Sequence, residues 1–280
     1  MADKNLPQIS FTAPDFPDQF VDSLRCYGFA SVIDHPIDSE RVRRIYRDWR
    51  EFFAADEINI FEMDPTNQDG FFSLERAEHA KGFLDRDHKE YFQFYPWGRC
   101  PSNLRRDLAI HFQTTVALGA KLLEHIGSLL PEYISLVLSE PLRDMIRDSQ
   151  QSMLRILHYP PIPSGKEVIR AAPHEDINLL TLLPEADGSG LEIKLRDGKW
   201  LAVPNSPGQL IVNIGDMLQE ATGGFFPSTT HRVATFETHE SATSRMSLPL
   251  FLHPRPEVVL SKRYTARSYL HERLEELGVI

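Results

Sequence analysis

The chain has 280 residues, 41% hydrophobic and 25% charged, which is enough apolar material for a substantial core and excludes a disordered chain. Forty acidic against thirty basic side chains leave a net charge of −10, a poor match to a phosphate backbone, so a nucleic-acid partner is not expected. Two cysteines, Cys26 and Cys100, exclude a disulfide framework or a four-cysteine zinc site and suit a reducing cytoplasm. No apolar run approaches the ~18 residues of a membrane span, and no apolar leader opens the chain, so no membrane partner is expected either.

In chain order, Gln8 to Phe11 alternates as a short strand and Tyr27 to Asp34 reads as another. Val42, Ile45, Tyr46, Trp49, Phe52 and Phe53 form one face of an amphipathic helix, with Asp38 or Ser39 placed to cap it. Leu104 to Ile126 carries helical apolar spacing without proline. The first 150 residues therefore read as mainly helical. From Ser152 the texture changes. Short runs rich in Val, Ile, Leu and Phe, at 152–159, 177–183, 190–195, 209–214, 230–236 and 245–252, are separated by Pro, Gly and Asn. That spacing predicts an antiparallel sandwich or barrel. A last helix from about Ala266 to Leu277 follows Thr265 as its cap. The helical part is expected to pack on the β part as one unit.

His174-Glu175-Asp176 is the first chemical signal. On an extended segment, side chains at i and i+2 point the same way, so an imidazole and a carboxylate can share an ion. A His-X-Asp arises by chance on the order of once in such a chain, and a solvated loop is the plainer reading of this one alone. His231, after the Gly223-Gly224 turn, is a candidate third ligand, against the alternative of a hydrogen-bonded strand histidine. Two histidines and a carboxylate leave three adjacent positions open on octahedral Fe(II), whereas zinc tends toward four ligands. Arg245 and Ser247 face one side of a strand, and a guanidinium with a hydroxyl is suited to a buried carboxylate. Arg147-Asp148-Ser149 has the same spelling but lies in a charged stretch before the β region.

With these residues in view, the sequence resembles the isopenicillin N synthase-like branch of the Fe(II)- and 2-oxoglutarate-dependent dioxygenases, over nearly its whole length. The resemblance is carried by Gly28-Phe29-Ala30-Ser31-Val32 with His35, by Gly70-Phe71-Phe72 through residues 78–82 to Asp87-His88-Lys89-Glu90, and by Leu157-His158-Tyr159-Pro160-Pro161. It continues through Ala172-Pro173-His174-Glu175-Asp176, Val212 to Gln219 (VNIGDMLQ) and Phe226 to Val233 (FPSTTHRV). The resemblance implies an α+β fold: a double-stranded β-helix core, jelly-roll or cupin-like, over 151–280 with its C-terminal helix, and a helical N-terminal region over 1–150 packed on it. It implies Fe(II) on His174, Asp176 and His231. The cosubstrates would be O2 and 2-oxoglutarate, whose far carboxylate would meet Arg245, Ser247 and the Tyr159 hydroxyl. Asn213 matches a family asparagine near the iron. The chain departs from relatives at Leu157, where many plant members have Asn, and at Phe71, often Tyr.

The implied reaction is oxidation of a free small molecule, hydroxylation by default, with release of succinate and CO2. On the substrate side, alternation along 152–159 puts Met153, Arg155 and Leu157 on the face of Tyr159, so Arg155 is a candidate for a substrate carboxylate or amino acid. A structural ion pair is its alternative role. Phe71, Phe72, Phe225 and Phe251 are candidate apolar walls, and His158 faces the other way. Two rival functions stand beside this one: an iron oxidase that needs no 2-oxoglutarate, and a catalytically silent relative that binds a ligand.

Overall fold

The structure is a computed structural model and describes residues 5–76, 87–162, 169–234 and 243–278. Residues 78–82 of the N-terminal signature and 235–236 of the expected 230–236 strand lie outside the described residues.

The first half contains β1 (Gln8–Ser10), α1 (Phe16–Tyr27), β2 (Phe29–Ile33), α2 (Ser39–Phe53), β3 (Gly70–Phe72), β4 (Glu90–Phe94) and α3 (Arg105–Ser128), then the one-turn helices α4 (Glu132–Ser135) and α5 (Leu142–Met145). The second half supplies β5 (Met153–Tyr159), β6 (Ala171–His174), β7 (Leu180–Pro184), β8 (Leu191–Lys194), β9 (Trp200–Ala202) and β10 (Leu210–Ile214). It ends with α6 (Asp216–Ala221), β11 (His231–Val233), β12 (Arg245–Ser247), β13 (Leu250–Leu252) and α7 (Ala266–Glu276).

Local chemistry accounts for the main helices. Asp38 caps α2, its carboxylate accepting from Arg41 N at 3.1 Å, and Val42, Ile45, Tyr46, Trp49 and Phe53 go into the core. Thr265 and Ser268 form a capping box at the start of α7. The unexpected helix is α1, whose Phe16, Phe20, Val21 and Leu24 make a buried stripe behind Pro17. The 245–252 run is not one strand: it breaks at Leu248-Pro249 into β12 and β13, because proline has no N–H for a ladder.

Two sheets form the β part. The larger runs β1-β2-β10-β7-β13-β5-β4-β3, with β12 also pairing β5, and the smaller runs β6-β11-β8-β9. The first 150 residues are thus not only helical. β2 pairs with β10 and β4 with β5, so both halves of the chain share one sheet. The main core lies between that sheet and α1 to α3. At Gly119 of α3 a Cβ would stand 2.2 Å from Leu252 Cδ1, so glycine lets the helix settle onto β13. On the sheet's other face, Phe72, Tyr91, Leu157, Tyr159, Ala171 and Val233 make a separate cluster. Strand alternation explains the division: Leu154 and Ile156 of β5 enter the main core, while Leu157 and Tyr159 enter this second cluster. Among the described residues no helix is long and apolar enough to cross a membrane.

Candidate metal centre and active site

His174 ends β6 and His231 opens β11, directly opposite in the antiparallel register, with ring centroids 4.3 Å apart. Asp176 follows two residues after His174. One ligand atom from each of the three lies within 4.8 Å of the others. Asp176 Oδ1 is 4.0 Å from His174 Nε2 and 3.8 Å from His231 Nε2. In both histidines Nδ1 donates to the carbonyl two residues upstream, Ala172 O at 2.7 Å and Thr229 O at 3.1 Å, which leaves the Nε2 lone pair for an ion. The Thr229 loop is held close to Gly28, at φ 70°, where a Cβ would meet Thr229 Oγ1 at 2.2 Å and Pro227 O at 2.6 Å.

The other Asp176 oxygen is fixed from the larger sheet. Thr181 Oγ1 donates to Oδ2 at 2.6 Å and Asn213 Nδ2 at 2.8 Å, and these two residues are cross-strand partners on β7 and β10. Asn178 Nδ2 donates in turn to Thr181 Oγ1 at 2.9 Å. Burial opposes the charge on Asp176, but the His231 and His174 fields and the two hydrogen bonds outweigh it and hold the carboxyl below its usual range. Burial lowers His174 to about 4, further helped by His231. An ionised carboxylate and two oriented imidazoles are the donor set of a non-haem Fe(II) site, and these residues fit that ion. Asn213 is therefore brought to a ligand's carboxylate. Thr181 escaped the sequence reading. Its signal there was a single hydroxyl in the apolar run Leu179-Leu180-Thr181-Leu182-Leu183.

Arg245 and Ser247 are buried on β12, opposite Tyr159 and Leu157 of β5. Arg245 Nε donates to Gly188 O at 3.0 Å, and its guanidinium carbon lies 5.0 Å from the Tyr159 ring centre. Arg245 Nη1 is buried with no hydrogen-bond partner among the described residues, as a donor kept for an anion would be. This fits the far carboxylate of 2-oxoglutarate. Arg147, the other copy of the spelling, is exposed and pairs with Asp144.

The substrate-side candidates separate. Phe72 stacks on Tyr91 with ring centres 4.6 Å apart and lines the inner cluster. Phe71 does not. Adjacent strand residues face opposite ways, and Phe71 turns into the main core toward Phe53. Phe225 likewise packs against the main core, beside Phe226. Arg155 Nη2 donates to Gln93 Oε1 at 2.6 Å, and its guanidinium lies 4.4 Å from the Tyr91 ring centre and 5.4 Å from that of Phe251. His158, on the other face, bonds Glu90 at 2.7 Å and stacks on Phe53. His253 also escaped the sequence reading. It lies within the electrostatic reach of both Asp176 and Arg155, and burial lowers its imidazole to about 4. It lines a cavity of about 300 Å³ with Met217, Pro254, Leu270 and Leu274.

A two-sheet β core with two histidines and an aspartate at one end defines a mononuclear metal enzyme, and comparison with known proteins names the family. Residues 150–254 match the model of the 2OG-Fe(II) oxygenase superfamily. A Shewanella oneidensis oxygenase structure is 48% identical with a TM-score of 0.90, covering 99% of this chain and 100% of that one. A 2OG-Fe(II) oxygenase family protein from Caulobacter crescentus is 30% identical with a TM-score of 0.81, covering 97% and 99%. Flavanone 3-dioxygenase 2 of Oryza sativa subsp. japonica is 28% identical over 273 residues, 93% of this chain and 77% of that protein. The chain belongs to the 2OG-Fe(II) oxygenase superfamily. Its iron triad is His174, Asp176 and His231, and its cofactor and cosubstrate are Fe(II) and 2-oxoglutarate.

Proposed function

We propose that the chain hydroxylates a free small molecule bearing a carboxylate, such as an amino acid derivative, and releases succinate and CO2. Bound Fe(II) and 2-oxoglutarate, reacting with O2, supply the oxidising power for attack on a C–H bond. The protein's part is binding, orientation and exclusion of water. His174, Asp176 and His231 hold the ion, and Thr181 and Asn213 keep Asp176 aimed at it. Arg245, Ser247 and Tyr159 hold the far carboxylate of 2-oxoglutarate in a buried pocket, which strengthens the charge pairing. Phe72, Tyr91 and Leu157 form an apolar wall.

The observation that carries the substrate class is Arg155. Its guanidinium donates to Gln93 and is laid over Tyr91, on the face of β5 that also presents Leu157 and Tyr159. A small molecule rather than a polymer is supported by a relative. The rice relative is named for such a molecule, a flavanone. The test is succinate release from a panel of small carboxylates and their esters, with wild type and Arg155→Leu. Wild type should prefer the acids. Arg155→Leu should weaken substrate binding and leave uncoupled 2-oxoglutarate decarboxylation nearly intact. Loss of both activities would make Arg155 a structural residue, and product without succinate would support the 2-oxoglutarate-independent oxidase.

A further inference from the structure

The strand that carries His174 is irregular and, among the described residues, stands at the end of its sheet. β6 is the outer strand of the smaller sheet. In its register with β11, Ala171 faces Val233 and His174 faces His231, so Ala172 and Pro173 together oppose the single residue Arg232. Such a bulge re-aims the side chain that follows it, and it leaves backbone groups outside the ladder. Pro173 has no N–H to place. Both polar groups of Ala172 are engaged: its carbonyl accepts from His174 Nδ1 at 2.7 Å, and its N–H donates to Asp87 Oδ1 at 2.9 Å. Asp87 Oδ2 accepts from Lys89 Nζ at 2.7 Å. Asp87 and Lys89 are only 4% and 6% exposed. Between them, His88 N donates to Ile169 O at 2.7 Å, so the 87–89 segment runs against the edge of the β6 region.

We infer that Asp87 and Lys89 are positioning residues for the metal ligand His174, acting through the backbone of Ala172. The N–H of Ala172 is gripped by a carboxylate. That anchors the bulged residue one Cα away from its own carbonyl, and the carbonyl sets the tautomer and tilt of the His174 ring. Lys89 offsets the charge on the buried carboxylate, which would otherwise be costly to keep ionised. It also occupies the second Asp87 oxygen. A segment of the N-terminal half, outside the 150–254 family match, thus shapes the geometry of the iron ligand.

Metal binding by the full chain under anaerobic conditions tests this independently of turnover, with Co(II) as the probe and its visible bands as the readout. Asp87→Ala should bind Co(II) about 10–100-fold more weakly and shift the bands, the scale seen when such supporting partners of ligands are lost. The double variant Asp87→Asn with Lys89→Met keeps an oxygen for Ala172 N–H and removes both charges of this pair. It should return Co(II) affinity to within about threefold of wild type and restore the bands. Wild-type affinity and bands in Asp87→Ala, even with a lowered melting temperature, would overturn the proposal. So would a folded double variant that binds as weakly as Asp87→Ala. If Asp87→Ala does not fold, the double variant decides alone: near wild-type bands support the proposal, and weak, shifted bands overturn it.

Discussion

Thr181 donates its hydroxyl proton to Asp176 Oδ2 across 2.6 Å and so leaves Oδ1 as the oxygen facing both histidine Nε2 atoms. Thr181→Val has nearly the same shape but no donor. Asn213 would remain on the carboxylate, so the loss should be partial: Fe(II) affinity about tenfold weaker, at the lower end for a supporting hydrogen bond. Asp176→Ala should instead abolish turnover in a folded protein, because it removes a ligand. Anaerobic Fe(II) titration distinguishes the two. Equal loss in both variants would mean that Thr181 does more than orient the carboxylate.

Much of this site was legible in the sequence because its parts are local or repeat with a simple period. His174 and Asp176 are two residues apart, and Arg245 and Ser247 share a strand face by alternation. The helices α2, α3 and α7 announced themselves by apolar spacing or caps. What escaped depends on register between distant strands. Thr181 meets Asp176 because β7 pairs with β10 at Asn213, and no local pattern encodes that pairing. β3 and β4 were submerged in a mainly helical reading because each is short and buried on both faces, which removes the polar alternation that marks a half-exposed strand. Phe71 was misplaced for a related reason: Phe71-Phe72 is apolar on both sides, so composition does not say which ring faces the site.

Arg245 should carry cosubstrate affinity. Removing one partner of a buried, hydrogen-bonded charge pair typically costs about 3–5 kcal/mol. Arg245→Ala should therefore raise the 2-oxoglutarate requirement by at least about a hundredfold, read from uncoupled decarboxylation or from anaerobic binding. Arg147→Ala is the control, since Arg147 is exposed and paired only locally with Asp144. Similar behaviour of the two variants would refute the placement of 2-oxoglutarate.

Helix α2 reaches the same pocket indirectly. Arg50 pairs with Asp187, Asp187 also accepts from Met246 N, and the next residue, Gly188, offers its carbonyl to Arg245 Nε. Arg50 is half-exposed, and ion pairs of that kind contribute about 0–1 kcal/mol, so Arg50→Met should weaken 2-oxoglutarate binding by about fivefold at most. Asp187→Ala should be worse, because it also leaves the Met246 N–H without its acceptor, at about 1–3 kcal/mol. The reverse order in a binding titration would show that the helix, not the loop, sets Arg245.

The last prediction concerns pH and a residue away from the metal. His111 on α3 is 1% exposed, and burial, reinforced by the Arg41 charge, lowers its imidazole from 6.5 to about 4. The neutral ring is the form that fits the folded protein. Between pH 6.5 and about 4 the unfolded chain binds a proton at this residue that the folded chain does not, so stability falls as pH falls through that window. A gap of that size corresponds to a loss on the order of 3 kcal/mol. His111→Leu removes the titration, and it strands no partner, because Thr115 Oγ1 keeps its 2.8 Å bond to the residue 111 carbonyl. Denaturant unfolding of both proteins at fixed metal concentration should show the variant's stability relative to wild type rising by that order from pH 7 to pH 4. Parallel curves across the window would mean that His111 reaches water or a partner when protonated, and that its burial does not control its charge.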